Sequence, residues 1–441
     1  MIESLLIKNV NIAFPDKTVS GDVFVKDGRI EKIAPSLSEN AEVVIREEGL
    51  TLLPGSIDPH VHFRDPGATH KEDLSSGSRA AASGGVTSFF DMPNTSPSTT
   101  SLETLEEKKD SASRKSLINY NFFMGATTDN LDHCLRAKNV PGIKIYVGSS
   151  TGNLLVDETE LLTQFFKQSP HLIAIHSEDE TLICENKERY KESTNVHDHN
   201  RIRSVEGAIK CTQRCVALAL KHHARLHICH LTTEEELNFL KETNRTDLIT
   251  TEVTPQHLWA FAPEVYEKWG TFAQINPPIR EKRHQQALLK GLLEGHIHCI
   301  GSDHAPHTKE EKQQSFGKAP SGMPGVETSL PLMLNAVNQG TFSLQQVISW
   351  CSEGPANLFN IHNKGMIKEG FDADLVLVDL KKKKTFEKSQ IISKCGWSLF
   401  EGQSLTGWPI ATFVNGQCVY REGDFFEEIK GKEIQLRNLK K

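Results

Sequence analysis

Short apolar runs alternating with helical stretches fill the middle of the chain, and no other feature restricts its fold as much. Eight such runs occur: SIDPHVHF (56–63), VTSFFDM (86–92), NYNFFMG (119–125), GIKIYV (142–147), HLIAIHS (171–177), RLHICH (225–230), DLITTEV (247–253) and HIHCIGSD (296–303). Between most of them lie segments of helical composition, among them HKEDLSSGSRAAAS, SLETLEEKKDSAS, VEGAIKCTQRCVALALKHHA and EEELNFLKETN. A strand followed by a helix is a βα unit, and eight in succession predict a (β/α)8 TIM-like barrel over residues 54–364.

The two ends read differently. SLLIKNVNIAF, DVFVKDGRIEKI and EVVIREE before the barrel, and DADLVLVDL and ATFVNGQCVY after it, are β-rich. Asp27-Gly28 and Asn415-Gly416 supply tight hairpin turns. Because chain ends commonly lie close together, residues 1–53 and 365–441 are expected to form one small, discontinuous β-sandwich domain.

Charge and composition exclude several partners. A net charge of −7 and a pI near 6.3 leave no basic excess to neutralise phosphates, so nucleic acid is not an expected partner. The one basic run, Lys381–Lys384, reads as a solvated loop. No apolar run reaches the ~20 residues of a membrane span, and MIESLLIKNVNIAF lacks the features of a signal peptide. Nine cysteines without a CxxC pair suggest free thiols in a reducing compartment, hence the cytoplasm.

Barrel active sites lie at the C-terminal ends of the strands. There the first run carries His60 and His62, the fourth Lys144, the fifth His176, the sixth His230 and the eighth Asp303. Residues i and i+2 of a strand share a face, so His60 and His62 can reach one ion. Asp58 can orient one of those imidazoles from behind. His176 and His230, on adjacent strands, can share a second ion. A carboxylate at Asp303, after an apolar strand, is costly unless it meets a cation or donors; it can ligate the first metal and handle protons. Lys144 is either a lysine reaching the rim or, if two cations adjoin it, a neutral amine able to add carbon dioxide and become an anionic carbamate.

These motifs, in this order and over nearly the whole chain, resemble the amidohydrolase superfamily and, within it, the dihydroorotases. The resemblance is carried by Asp58-Pro59-His60-Val61-His62-Phe63-Arg64-Asp65-Pro66-Gly67 with Thr69–Asp73, Met92-Pro93-Asn94-Thr95, Gly142–Tyr146, Ile175–Glu178, Cys229-His230-Leu231, Gly301–His307 and Gly365–Leu375. It implies two zinc ions: His60, His62 and Asp303 at the first, His176 and His230 at the second, and carboxylated Lys144 bridging them. Asp303 is then also the catalytic proton carrier. Arg64, Asn94 and His307 would hold a substrate carboxylate; Asn276 and the backbone around Ser321 and Gly322 would contact a pyrimidine ring. The implied reaction is the reversible, zinc-dependent hydrolysis of dihydroorotate to N-carbamoyl-aspartate, a step of pyrimidine biosynthesis. A small molecule is the expected partner, and a homodimer the candidate assembly.

The chain departs from the family pattern twice. Gln256-His257 stands where many relatives have two histidines. Some bacterial relatives bridge the metals with an aspartate after the fourth strand; here SSTGN (149–153) offers none before Asp157, which leaves Lys144. Two alternatives remain. Allantoinases share the HVHFRDPG-type stretch, but Met92–Thr95 and Asn276-Pro277-Pro278 favour dihydroorotate. Dihydroorotase-like partners of aspartate transcarbamoylase have lost ligands, whereas this chain keeps all six.

Overall fold

The computed structural model of the protein describes residues 2–148 and 153–437. Its N-terminal strands are β1 (Ser4–Ala13), β2 (Thr18–Lys26), β3 (Arg29–Ala34), β4 (Val43–Arg46) and β5 (Thr51–Pro54). The next nine are β6 (Ser56–Val61), β7 (Val86–Asp91), β8 (Asn119–Phe122), β9 (Met124–Gly125), β10 (Ile143–Tyr146), β11 (Ile173–His176), β12 (Leu226–Ile228), β13 (Ile249–Val253) and β14 (Cys299–Ile300). After these come β15 (Leu375–Thr385), β16 (Ser404–Val414), β17 (Gln417–Arg421) and β18 (Asp424–Phe425).

Each of the eight apolar runs contains barrel strand. Parallel pairing runs β6-β7-β8 and β9-β10-β11-β12-β13-β14. β8 and β9 are two pieces of one run, interrupted at Phe123, and a parallel bridge from Val61 to His304 brings the last strand back to the first. The four helical segments named from sequence also form helices. Their starts are fixed by side chains: Asp73, Ser101, Ser204 and Thr233 each accept a backbone N–H of the first turn. Inside the barrel Ile57, Phe90, Phe123, Ala174, Cys229 and Cys299 pack with Phe359 and Ile434, an apolar floor beneath the polar mouth.

The two chain ends do share a sheet, in the order β18-β17-β16-β15-β5-β1-β2-β3 with β4 beside β1. The join is β5 against β15, antiparallel, with Leu53 opposite Val376. Both expected hairpin turns have left-handed backbone, at Asp27 and Gly28 (φ 50° and 77°) and at Asn415 and Gly416 (φ 49° and 77°). The strands form one continuous nine-stranded sheet. The run Lys381–Lys384 is strand rather than loop: it continues β15, and Lys384 Nζ lies 4.5 Å from the Trp408 ring centre, so alternate lysines can face solvent without breaking the ladder.

Two stretches beyond residue 365 leave the sheet. Residues 430–437 return to the barrel, where the Tyr120 N–H donates to the Lys432 carbonyl, the Tyr120 carbonyl accepts from the Ile434 N–H, and Ile434 is buried. Residues 386–403, between β15 and β16, cross to the barrel mouth: the Trp397 indole donates to the His307 carbonyl at 2.7 Å and Lys394 Nζ to the Thr69 carbonyl at 2.8 Å. Among the described residues, no helix is long and apolar enough to cross a membrane.

Candidate metal and substrate site

Strand ends deliver the expected ligands to one cavity of about 730 Å³, lined by His60, His62, Arg64, Asn94, Lys144, Tyr146, His176, His230, Asn276, Asp303, His307, Ser321 and Gly322. Every residue proposed from sequence as a ligand or substrate contact therefore lines the same space. Asp303 Oδ1 lies 3.0 Å from His62 Nε2 and 3.4 Å from His60 Nε2, so three donors converge on one point. The backbone at Asp303 and His230 is left-handed, with φ of 45° and 36°. Strain of this kind in non-glycine residues collects at functional sites.

Next to this triad His176 Nδ1 faces His230 Nε2 at 3.1 Å. Burial holds both imidazoles below their ordinary pKa, and for His230 the neighbouring His176 adds to the effect. Both are thus neutral, the form that binds metal. His230 Nδ1 is buried without a hydrogen-bond partner. Lys144 is fully buried; its Nζ reaches Cys229 Sγ at 2.9 Å, and no carboxylate among the described residues pairs with it. The donor chemistry and the orphaned nitrogen fit a metal centre. Residues 149–152, where some relatives are expected to place an aspartate, lie outside the described residues.

Electrostatics divide the carboxylates. Burial alone would raise the pKa of Asp303, but His60 and His62 outweigh it and hold the group below the ordinary carboxylate value. Asp58 is pushed up to about 6 by burial, although its Oδ1 accepts from the His60 and Ser302 amides. Asp58 thus contacts the backbone of His60 and not its ring.

At the outer rim Arg64, in left-handed conformation (φ 61°), donates from Nε to the Pro306 carbonyl at 3.2 Å and approaches His307 Nε2 at 3.3 Å. Lys71 Nζ reaches His307 Nδ1 at 3.1 Å. Burial and these two cations drive the His307 pKa strongly down, so the imidazole is neutral. Arg64 has no carboxylate partner among the described residues, whereas Lys71 pairs with Glu311 at 3.0 Å. Asn94 accepts from His62 Nδ1 at 2.6 Å, which fixes that ring. Asn276 Oδ1 is buried without a partner. The Gly322 amide already donates to the Gln274 carbonyl at 2.9 Å, and Ser321 Oγ accepts from Gln274 Nε2 at 3.1 Å. That part of the ring-binding segment is braced from behind.

A family model described as the amidohydrolase family matches residues 51–419. The chain belongs to the amidohydrolase family. It is 35% identical over 433 residues to a dihydroorotase of Methanosarcina acetivorans, covering 94% of this chain and 92% of that one. It is 34% identical over 413 residues to a dihydroorotase of Bacillus cytotoxicus, covering 92% and 95%. Among solved structures it is similar to the L-hydantoinase (dihydropyrimidinase) from Arthrobacter aurescens, with a TM-score of 0.93 and 28% identity over 99% of this chain and 100% of that one.

Several residues of this amidohydrolase escape a reading of sequence. Glu252 contacts His60 Nδ1, and Glu178 holds His176 Nε2 at 2.6 Å while pairing with Arg203. Lys312 is fully buried and donates to the carbonyls of Gln274 at 2.9 Å and Pro320 at 2.8 Å. Glu72 accepts from Ser393 and stands 3.3 Å from His304 Nε2. The only available signal was a charged residue inside or beside an apolar run, as for Glu252 in DLITTEV. Gln256 donates to the Ser302 carbonyl at 2.8 Å, and His257 Nε2 lies 3.2 Å from the Pro277 carbonyl, so in this amidohydrolase the departure from a double histidine is met by backbone contacts.

Proposed function

We propose that this amidohydrolase is a dihydroorotase, catalysing the reversible hydrolysis of dihydroorotate to N-carbamoyl-aspartate with two zinc ions. The observation that carries the reading is Arg64. A guanidinium without a carboxylate partner among the described residues, beside a neutral His307 and on the rim above five metal-type ligands, calls for an anionic substrate. A hydantoin or dihydropyrimidine ring without a carboxylate would leave that charge unmet, while allantoinases, which share the Arg64 stretch, are set apart by Met92–Thr95 and Asn276-Pro277-Pro278. The named relatives are consistent with this choice.

His60, His62 and Asp303 would hold one ion, and His176 and His230 the other, with Lys144 as a carbamate shared between the two sets. Two imidazoles alone are short of the three protein ligands usual in a catalytic zinc site, and Lys144, which lines the same cavity, is the residue assigned to make up the number. A bound metal pair supplies positive charge that polarises the scissile carbonyl and acidifies water towards a pKa of ~7.

The chain's own residues then do the following. Arg64 forks onto the substrate carboxylate, with His307 and Asn94 setting its position. Asn276 Oδ1 accepts a ring N–H, which satisfies its orphaned oxygen. Asp303, ionised at neutral pH, takes a proton from the attacking water as the water oxygen bonds to the ring carbonyl carbon. It gives that proton to the ring nitrogen as the C–N bond breaks. In ring closure the same carboxylate takes the proton from the carbamoyl nitrogen and returns water.

Side-by-side assays with dihydroorotate, allantoin and dihydrouracil test the reading. Dihydroorotate should be turned over with the highest kcat/KM, and Arg64→Met should lower that value about 10- to 100-fold, mainly through KM. Preference for allantoin or dihydrouracil, or an unaltered KM in Arg64→Met, would overturn it.

A further inference from the structure

We propose that Glu252 is a positioning residue that sets both halves of the metal centre from beneath. The proposal rests on the metal-binding reading above. Glu252 lies on β13, two strands away from His60 around the barrel, and is 1% exposed. One carboxylate oxygen, Oε1, meets His60 Nδ1 and also accepts the backbone N–H of His230 at 3.2 Å. The other, Oε2, lies 3.1 Å from His227 Nε2. His227 is fixed in turn by Thr250 Oγ1, 3.0 Å from its Nδ1.

A single carboxylate thus holds the ring of a residue assigned to the first ion and the main chain of one assigned to the second. By accepting at Nδ1 it places the His60 proton there and turns Nε2 towards His62 and Asp303. That matters because either ring nitrogen of a histidine can bind metal: Nε2 of His60 faces Asp303 in the group with His62, whereas Nδ1 meets Glu252, which with Cys229 and His60 forms a second group of donors. The contact with the His230 amide does the same for a residue whose backbone is left-handed (φ 36°) and needs an outside restraint.

The charge argues the same way. Among the described residues Glu252 pairs with no lysine or arginine; its partners are two histidines. A buried carboxylate without a fixed cation is costly, and a dication on the far side of the His60 ring offsets that cost. The neighbouring sequence makes room for it. A Cβ on Gly301 would stand 2.8 Å from Glu252 Oε2 and 3.1 Å from His60 Cβ. Glycine at 301 is therefore what lets the last strand pass over the pair.

Zinc affinity, measured by chelator competition on the full chain, tests the proposal, with the absorption spectrum of the cobalt-substituted protein as a second readout. Glu252→Gln keeps the size and one acceptor but removes the charge. It should weaken zinc binding roughly 10- to 100-fold and shift the cobalt bands. Gly301→Ala, which crowds the same carboxylate without altering it, should weaken binding in the same direction. His60→Ala is the control for the underlying reading. If His60→Ala binds zinc as tightly as the unaltered chain, the metal-site reading fails. If His60→Ala loses affinity while Glu252→Gln keeps both its affinity and its cobalt spectrum, the role given to Glu252 fails. Should Glu252→Gln not fold, His227→Asn removes the carboxylate's other partner, and it too must weaken zinc binding for the proposal to stand.

Discussion

The indole N–H of Trp397 donates to the backbone carbonyl of His307 at 2.7 Å, across 90 residues of sequence. Trp397 comes from the stretch between two strands of the outer sheet, and His307 closes the rim beside Arg64. The sheet domain therefore contributes to the shape of the substrate site, although none of its strands lines it. Trp397→Phe removes the donor and keeps most of the apolar bulk. A hydrogen bond of about 1 kcal/mol corresponds to a rise in KM for dihydroorotate of about fivefold, with kcat nearly constant. Steady-state kinetics check this, and an unchanged KM would count against the coupling.

Asp303 carries a different burden. Its Oδ1 is within 3.0 Å of His62 Nε2, and its charged form is favoured by His60 and His62. Asp303→Asn preserves an oxygen near the histidines but cannot accept the proton. With Asp303 in the proposed role of proton carrier, this change should lower kcat by about 10²- to 10⁴-fold, with KM changing far less. Retention of most of the wild-type kcat in a variant with normal zinc content would assign proton transfer to another group.

The gathering of the candidate ligands at the strand ends was legible because a strand's period of two and the barrel's polarity leave little choice. His60 and His62 share a face, and His176, His230 and Asp303 each end an apolar run. What holds these groups was not legible. Glu252, Glu178 and Lys312 have the composition of surface residues, and apart from His176, two residues from Glu178, their partners lie on other strands or loops. The contact between Glu252 and His60 spans 192 residues. The crossing of residues 386–403 to the barrel mouth was equally hidden, since Ile391-Ile392-Ser393-Lys394-Cys395-Gly396-Trp397 has no helical or strand period. The left-handed conformations at Arg64, His230 and Asp303 had no glycine to announce them.

Chelation should report on the same centre through stability. Zinc that binds only the folded chain contributes ~2.7 kcal/mol when its free concentration is 100 times its Kd. Stripping the protein with a strong chelator should therefore lower Tm, and zinc should restore it. The His176 and His230 rings, which face each other at 3.1 Å, are the groups proposed to share an ion. His176→Ala with His230→Ala should narrow the gap between stripped and reloaded Tm. An equal gap in the double variant would place the stabilising ion elsewhere.

Lys312 yields a prediction in pH. Burial lowers its pKa to about 7, while its ammonium donates to the carbonyls of Gln274 and Pro320, on either side of the expected ring contacts. In the unfolded chain the amine returns to the ordinary lysine value of 10.5. Below about pH 7 the side chain is charged in both states, and the full cost of burying the charge is present. Between about 7 and 10.5 the unfolded chain binds the extra proton, so this group's contribution to stability rises with pH, by at most ~1.4 kcal/mol per unit. Lys312→Met carries no titrating group. Denaturant unfolding of both proteins from pH 6 to 9 should therefore show the wild type level with respect to the variant at the acid end and gaining on it above neutrality. The variant should also raise KM for dihydroorotate, because the 274 and 320 segments lose their common donor. A stability difference independent of pH across that range would mean that Lys312 keeps an ordinary pKa despite its burial.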